Sequence, residues 1–379
     1  MNSAMLRKTF DQILRTTVVP ATMPLETKIQ TYGQWTEFLG NNIPIKLFRY
    51  RNYNIRSLEA FYHDQVGVTI GSKMNDGFDT RIYFGLKNSD RAIRDEFSDE
   101  RLIQFYNLII NENCPFHAFL KQYLYNAGYT GDISEIDNNP FILNAKSLRD
   151  TMLSKESEVL HEIIGAAQST IKFACFSEEI KSPAMWGQYA GDEEGFALQY
   201  DFTKQVSPNE ISDNRILKSI QTYPIIYNKD RFHVPHEYVM YLFKYRMTYA
   251  LASMYGSSFP YGDFKSILPA INPCPDEAMT TKIMLHKSNE WKNEKEWRVI
   301  CNSDDPKYQQ AEYGYFKKAP TAVYLGRRMK QNSRKLLIDI ARKKGIPVYE
   351  MLINDDSPKY LLKVKRLAKQ DITTDGVMN

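Results

Sequence analysis

The stretch NEKEWRVI, residues 293–300, constrains this chain more than any other. Glu294, Glu296 and Arg298 fall at every second position, and Trp297, Val299 and Cys301 take the alternate ones. On an extended chain successive side chains point to opposite faces, so one face is charged and the other apolar. The pattern predicts a strand with one side in a core and the other lining a cleft. Two carboxylates two residues apart repel each other. Such a pair can raise one pKa, grip a cation or ribose hydroxyls, or stabilise developing positive charge. A bare E-x-E is more often a surface strand with cross-strand ion pairs, so the rest of the chain must decide.

The 379 residues suffice for a large core or two domains. Apolar residues make up 43% and charged residues 25%, an ordinary globular balance. Aromatics reach 13%, enough to offer stacking or cleft-lining surfaces. A net charge of +4 does not by itself argue for nucleic acid. Cys114, Cys175, Cys274 and Cys301 are scattered, with no CxxC pair, so we expect reduced, buried thiols rather than zinc or a disulfide framework. No run of 18 apolar residues predicts a membrane span. The start reads as an amphipathic helix and lacks the apolar run and cleavage site of a signal peptide. A cytoplasmic location is the expectation.

Taken in order, the chain predicts helices over 4–16 and 25–40, a strand at 46–51, a helix near 54–63 capped by Asn54, and a strand at 66–70. A turn-rich loop at 71–79 carries Asp76 and Asp79. Residues 88–168 read as mostly helical, an insertion or a small subdomain. Strands follow at 171–176 and 196–202, around a short helix at 182–190 with Pro183 in its first turn. A strand over 216–228 bends at Pro224. Helices are expected over 235–256 and 275–288, then the strand of NEKEWRVI. The end reads strand 322–326, helix 330–344 stopped by Gly345, and strands at 346–351 and 360–367. The class is α+β.

The usual loops for common cofactors are missing: no GxGxxG follows a strand, and GxxxxGK[ST], HExxH and GxSxG do not occur. Asp76 and Asp79 read first as turn residues and second as cleft lining; a metal site with Glu294 or Glu296 is the remotest reading. Tyr238, Tyr241, Tyr245 and Tyr249 form a stripe at helical spacing, more often core than a stacking surface. The last quarter is basic, with Arg327, Arg328, Lys330, Arg334 and others through Lys369. A solvated helix face explains it; a phosphate-backbone patch is the sharper alternative.

FRYR at 48–51, NDGFD at 75–79, CFSE at 175–178, MWGQYA at 185–190, GFALQY at 195–200 and EWKNEKEWRVI at 290–300 occur in that order. Together they resemble a bacterial domain-of-unknown-function family with a KYR-type strand, FNDPFD, CFS, MWxHYAxxHxG and a late ExEWR. The resemblance covers roughly 43–367. The chain departs at Gly77, where Pro is usual, and at Gln188, where His is usual.

The same order is similar to ADP-ribosyltransferases, which carry an early Arg or His strand, an aromatic-and-Ser strand and a Glu opening a late strand. That resemblance implies a split β-sheet core with a helical insertion at about 88–168, an N-terminal helical extension at 1–42 and a tail at 368–379. It places Glu296 as the catalytic glutamate and Glu294 as its upstream partner. It puts NAD, as substrate, near Arg49, Tyr50, Arg51, Ser177, Trp186 and Tyr189, and it calls for no metal. The basic residues Arg327, Arg328, Lys330 and Arg334 then favour a nucleic-acid acceptor, RNA over DNA. It also resembles toxins of toxin–antitoxin and phage-defence systems, which adds an antitoxin as a partner; a protein acceptor, a non-catalytic binding module and a metal nuclease are the rivals.

Overall fold

Asn2 starts the first helix by accepting the Met5 amide, and Ser3–Thr16 (α1) then buries Leu6, Phe10 and Leu14 at four-residue spacing. Leu25–Gly40 (α2) buries Trp35 and Leu39. The Phe10 ring stacks 5.9 Å from Phe38 and 6.2 Å from Tyr223. These side chains share one apolar cluster with Phe61, Val66, Phe173, Trp297 and Val299. The expected N-terminal helical extension is thus a pair of helices, α1 and α2, packed on the core. Phe10→Ala should therefore destabilise the whole chain by about 3–5 kcal/mol. Denaturant titration checks this; a loss under about 1 kcal/mol would mean that α1 is a detachable appendage.

The computed structural model describes residues 1–83, 95, 98–114, 116–203, 217–254, 268–269, 272–303 and 311–368. After α2 come Leu47–Arg51 (β1), Ile55–Tyr62 (α3) and Gln65–Ile70 (β2), with Asn54 accepting the Ser57 amide as the cap that the sequence predicts. Four helices follow: Asp99–Ile109 (α4), His117–Asn126 (α5), Pro140–Ser154 (α6) and Glu156–Thr170 (α7). Then come Lys172–Ser177 (β3), Pro183–Tyr189 (α8), Phe196–Tyr200 (β4), Leu217–Pro224 (β5), Ile226–Asn228 (β6), His236–Met254 (α9), Met279–Met284 (α10), His286–Ser288 (β7) and Glu296–Ser303 (β8). Tyr313–Lys317 (β9), Ala322–Leu325 (β10), Gln331–Lys344 (α11), Val348–Ile353 (β11) and Leu362–Arg366 (β12) complete the described chain. The α+β reading holds. Residues 84–87, parts of the expected insertion (88–94, 96–97 and 115) and the tail beyond 368, with Lys369, lie outside the described residues.

The main sheet runs β12-β11-β10-β4-β1-β3-β2-β9, with β8 on β3 and β5 on β8. It is mixed: β10 and β11 are parallel across α11, and their neighbours are antiparallel. One edge of β3 lies against β8 along its whole length, from Lys172↔Cys301 to Ser177↔Glu296. Its other edge is shared. β2 takes Lys172 and Phe173, and β1 takes Ser177 alone, opposite Phe48. Residues 174–176 therefore face a gap where β1 and β2 part, and the sheet is split there.

Pro224 has no amide proton for the ladder, so β5 ends on it. β6 then joins a separate two-stranded sheet with β7. The bend expected at Pro224 is a change of sheet. The helix expected over 275–288 is shorter, Met279–Met284, because 286–288 pair as β7. β9 was not anticipated; its Tyr-Gly-Tyr-Phe-Lys alternation is brief and follows a charged stretch.

Helices α4 to α7 build apolar clusters of their own. Tyr106, Ile109, Leu120 and Phe141 form one. Leu160 and Ile163 join Tyr238, Val239 and Phe243 of α9 in another. In the tyrosine stripe Tyr238 is buried, Tyr241 and Tyr249 are half-buried against apolar clusters, and Tyr245 is 38% exposed, so the stripe is mostly core. All four cysteines are free; Cys301 is buried and the other three are half-buried. Among the described residues no helix is long and apolar enough to cross a membrane.

Candidate active site

The charged face of NEKEWRVI is buried, not a solvated ion-pair face. Glu294 is 6% exposed, Glu296 3% and Arg298 0%. Glu294 does not belong to the strand: it ends a 3-10 helix, Asn289–Glu294, and Lys295 turns the chain at φ 45° before β8 begins. The left-handed residue restores the alternation, so both carboxylates still reach one place. Trp297 and Val299 fill the core on the far side, as predicted.

Lys287 of β7 joins the two glutamates. Its Nζ donates to Glu294 Oε2 at 2.7 Å and to Glu296 Oε2 at 3.1 Å, and it lies 4.9 Å from the Trp291 ring centre. Arg298 donates from Nε to Glu296 Oε1 at 2.8 Å, from Nη2 to Asp79 Oδ2 at 2.5 Å and from Nη1 to the Met284 carbonyl at 2.5 Å. Asp79 lies 3.9 Å from Lys287. Three carboxylates and two cations thus share one buried cluster. Such ions persist only when each finds partners.

The two glutamates are driven apart electrostatically. Burial alone would raise the Glu296 pKa, but Arg298 and Lys287 hold it down to about 2. Burial and the neighbouring Glu296 charge raise Glu294, against the pull of Lys287. Burial also raises Asp79, against Arg298. Glu296 is held as a fixed anion while the Glu294 pKa is pushed the opposite way, a separation that suits acid–base roles. Tyr189 donates to Glu294 Oε1, and the Asn75 amide donates to the Tyr189 hydroxyl at 3.1 Å. Burial and the neighbouring Glu296 charge push the Cys175 thiol well above the ordinary range for a thiol.

The cluster opens on a cleft of about 230 Å³ at the split of the sheet. Glu294, Glu296, Lys287, Cys175, Tyr189 and Arg49 are among its walls. A groove of about 510 Å³ between α3 and α11 is larger, but the buried ions do not open there.

The residues singled out from sequence divide clearly. Arg49 crosses the gap: one Nη2 bond goes to the Gly67 carbonyl at 2.5 Å, its guanidinium lies 5.4 Å from the Phe176 ring, and Nη1 is buried without a partner. Arg51 and Tyr50 line the same cleft, and the Tyr50 hydroxyl donates to the Glu179 carbonyl. Ser177 lines it too, but its hydroxyl donates to the Glu294 carbonyl at 2.5 Å and accepts from the Glu179 amide. It positions Glu294 and has no proton to spare for a ligand. Trp186 is fully buried, its indole donating to the Ile180 carbonyl and its ring edge-on to Tyr50. It stands behind the cleft wall and cannot sandwich a nicotinamide. Gln188, exposed, is not among the cleft's lining residues.

Only Asp79 joins the cluster with Glu294 and Glu296, and neither aspartate is among the cleft's lining residues. Asp76 accepts the Phe78 amide in its own turn, and Asp79 is committed to Arg298. In the basic quarter, Arg327 pairs with Glu193 and Arg334 with Glu350, while Arg328 and Lys330 are exposed. That turn follows β10, two strands from the Arg51 end of β1, roughly 10 Å away.

Sequence reasoning missed Lys287, Asn75 and the Cys175 thiol. A lone lysine between a helix end and a polar turn carries no pattern. It became visible only once β6 and β7 paired.

The N-terminal helix reaches this site. Arg7 donates to the Ile225 and Glu296 carbonyls at 2.9 and 3.0 Å and pairs with Glu178 at 2.7 Å. It anchors the backbone from which Glu296 projects.

Fold and site together define an α+β protein with a buried two-cation, three-carboxylate cluster at the mouth of a split sheet. Residues 185–299 match the model of a protein family of unknown function, DUF2971. The matched segment contains MWGQYA and ends within EKEWRVI. Comparison with curated proteins and with solved structures gave no match.

Proposed function

We propose that this protein is an NAD-dependent ADP-ribosyltransferase with a nucleic-acid acceptor, acting in the cytoplasm as a bacterial toxin of a toxin–antitoxin or phage-defence system. The observation that carries the reading is the pair Glu294/Glu296: one carboxylate held ionised, its neighbour raised, both at the split of a sheet beside Arg49 and Arg51. In this reaction the nicotinamide–ribose C–N bond breaks, and its electron pair leaves with nicotinamide. Positive charge builds on the ribose, as in glycoside cleavage. A fixed anion facing that charge favours the transition state over the ground state. The acceptor's amino nitrogen then bonds the ribose carbon, and Glu294 takes the proton released.

A cleft of about 230 Å³ is smaller than the roughly 300–1,000 Å³ of pockets that enclose a whole ligand. It fits the nicotinamide–ribose end of NAD. The pyrophosphate would meet Arg51 and the unpartnered Nη1 of Arg49 at the gap. One observation favours a binding module without chemistry: both Glu296 oxygens already accept hydrogen bonds. For chemistry, Glu296 would act through its charge, and Glu294, whose pKa burial and that charge raise, is the group that titrates beside it.

This gives a pH test with a definite sign. Because the Glu294 pKa is raised, Glu294 ionises at higher pH than a free carboxylate. Nicotinamide release should climb as pH rises through that raised value and fall below it, and Glu294→Gln should abolish that limb. Release measured across pH checks both. A flat profile in the native protein, or no release at any pH, would overturn the reading.

A further inference from the structure

Strand β9 lies at the end of the sheet order, beyond β2. Its residues alternate: Phe316 is buried, while Tyr313 and Tyr315 are 48% and 45% exposed. Tyr313 pairs with Thr69 and Tyr315 with Gly67, so both tyrosines stand on the face that Thr69 presents to the cleft. Gly67 places no side chain between them and the gap; the space where its Cβ would sit holds only the Gly314 carbonyl, 3.9 Å away. The carbonyl of Gly67 is the one that holds Arg49. The Arg56 guanidinium lies 5.1 Å from the Tyr313 ring centre, and Lys317 is exposed two residues beyond Tyr315.

We propose that Tyr313 and Tyr315 form a stacking platform for a single-stranded nucleic acid, which leads the acceptor base into the cleft, with Arg56 and Lys317 on its phosphates. The inference rests on the nucleic-acid acceptor proposed above and names where that acceptor binds. Exposed aromatic faces beside cations are what sequence-tolerant single-strand binding uses. Residues two apart on a strand are separated by roughly 6.6 Å, about twice the 3.4 Å rise of stacked bases. Each ring therefore takes its own splayed base, which a duplex cannot offer.

The tyrosine ladder of α9 is the rival surface. It lines a groove of about 530 Å³, but the arginine there, Arg246, is paired with Glu162, whose carboxylate would repel a phosphate. β9 has its own acidic neighbour, Glu312, paired with Lys73, but it also has Arg56 and Lys317, and across β2 it shares the Thr69 face that lines the cleft.

The test is binding, measured without NAD, so its outcome does not depend on whether the cleft cleaves anything. The full chain is titrated into a short labelled single-stranded RNA, the same sequence as single-stranded DNA, and the duplex, with fluorescence anisotropy as readout. Both rings are about half exposed, so their removal leaves the core packed. The double variant Tyr313→Ala/Tyr315→Ala should bind the preferred single strand on the order of 10²-fold more weakly, about tenfold per ring. Tyr313→Phe/Tyr315→Phe keeps the rings and should bind like the native chain. Undiminished binding by the alanine variant would overturn the proposal, and so would duplex bound as tightly as single strand. Failure of every form to release nicotinamide would sink the functional reading instead and leave the binding result standing.

Discussion

Glu296→Gln should lower nicotinamide release from NAD on the order of 10²–10³-fold. Glutamine keeps the size of the side chain and one acceptor oxygen, so one of the Arg298 and Lys287 bonds survives, but the charge and the second acceptor are removed. The Glu296 pKa is held at about 2, so the native group is fully ionised through the neutral range. The lost rate therefore reports charge and not protonation state. The anion also loses its role against Lys287 and Arg298, so a melting curve must accompany the kinetics. A variant that melts normally and turns over at the native rate would remove Glu296 from the chemistry.

Arg298→Met should be the most damaging substitution to stability, costing roughly 3–5 kcal/mol. Arg298 is fully buried and bridges Glu296, Asp79 and the Met284 carbonyl. Methionine fills much of the volume but leaves Asp79 and Glu296 buried with Lys287 alone. Breaking a buried pair by removing one partner leaves an uncompensated charge, which is far worse than replacing the whole set. The comparison variant is Asp79→Asn with Arg298→Met, which removes one carboxylate along with the cation. It should recover part of the loss. Denaturant midpoints of the native chain and both variants test this; Arg298→Met within about 1 kcal/mol of native would mean that the cluster is solvated in solution.

Much of the framework was legible because local rules and tertiary packing agree. The spacing of Leu6, Phe10 and Leu14 marked α1, Asn54 marked the start of α3, and Gly345, at φ 68°, stopped α11. The alternation around Glu296 was legible, and it pointed to the right faces although Glu294 sits in a 3-10 turn. Burial was not. A charged face on a strand reads as solvated unless its counter-ions are known, and they come from β7, from the 71–79 loop and from Arg298 itself. Trp186 shows the opposite error. Trp186 and Tyr189, three apart on a helix, do share a face, but Trp186 sits deeper, bonded to the Ile180 carbonyl and packed on Tyr50, and only Tyr189 reaches the cleft. Ser177 was correctly placed at the site, but its hydroxyl supports the backbone of Glu294. No local pattern shows which lone pair a hydroxyl has already used.

The central claim is tested most directly by incubating the purified chain with NAD radiolabelled in its ADP-ribose half, together with RNA, single-stranded DNA or lysate protein, beside Glu296→Gln. The account predicts label on nucleic acid, RNA before DNA, and none with the variant. Label on protein alone would contradict the acceptor. Intact NAD with no label anywhere would contradict the transferase itself and leave a buried ion cluster whose work is structural.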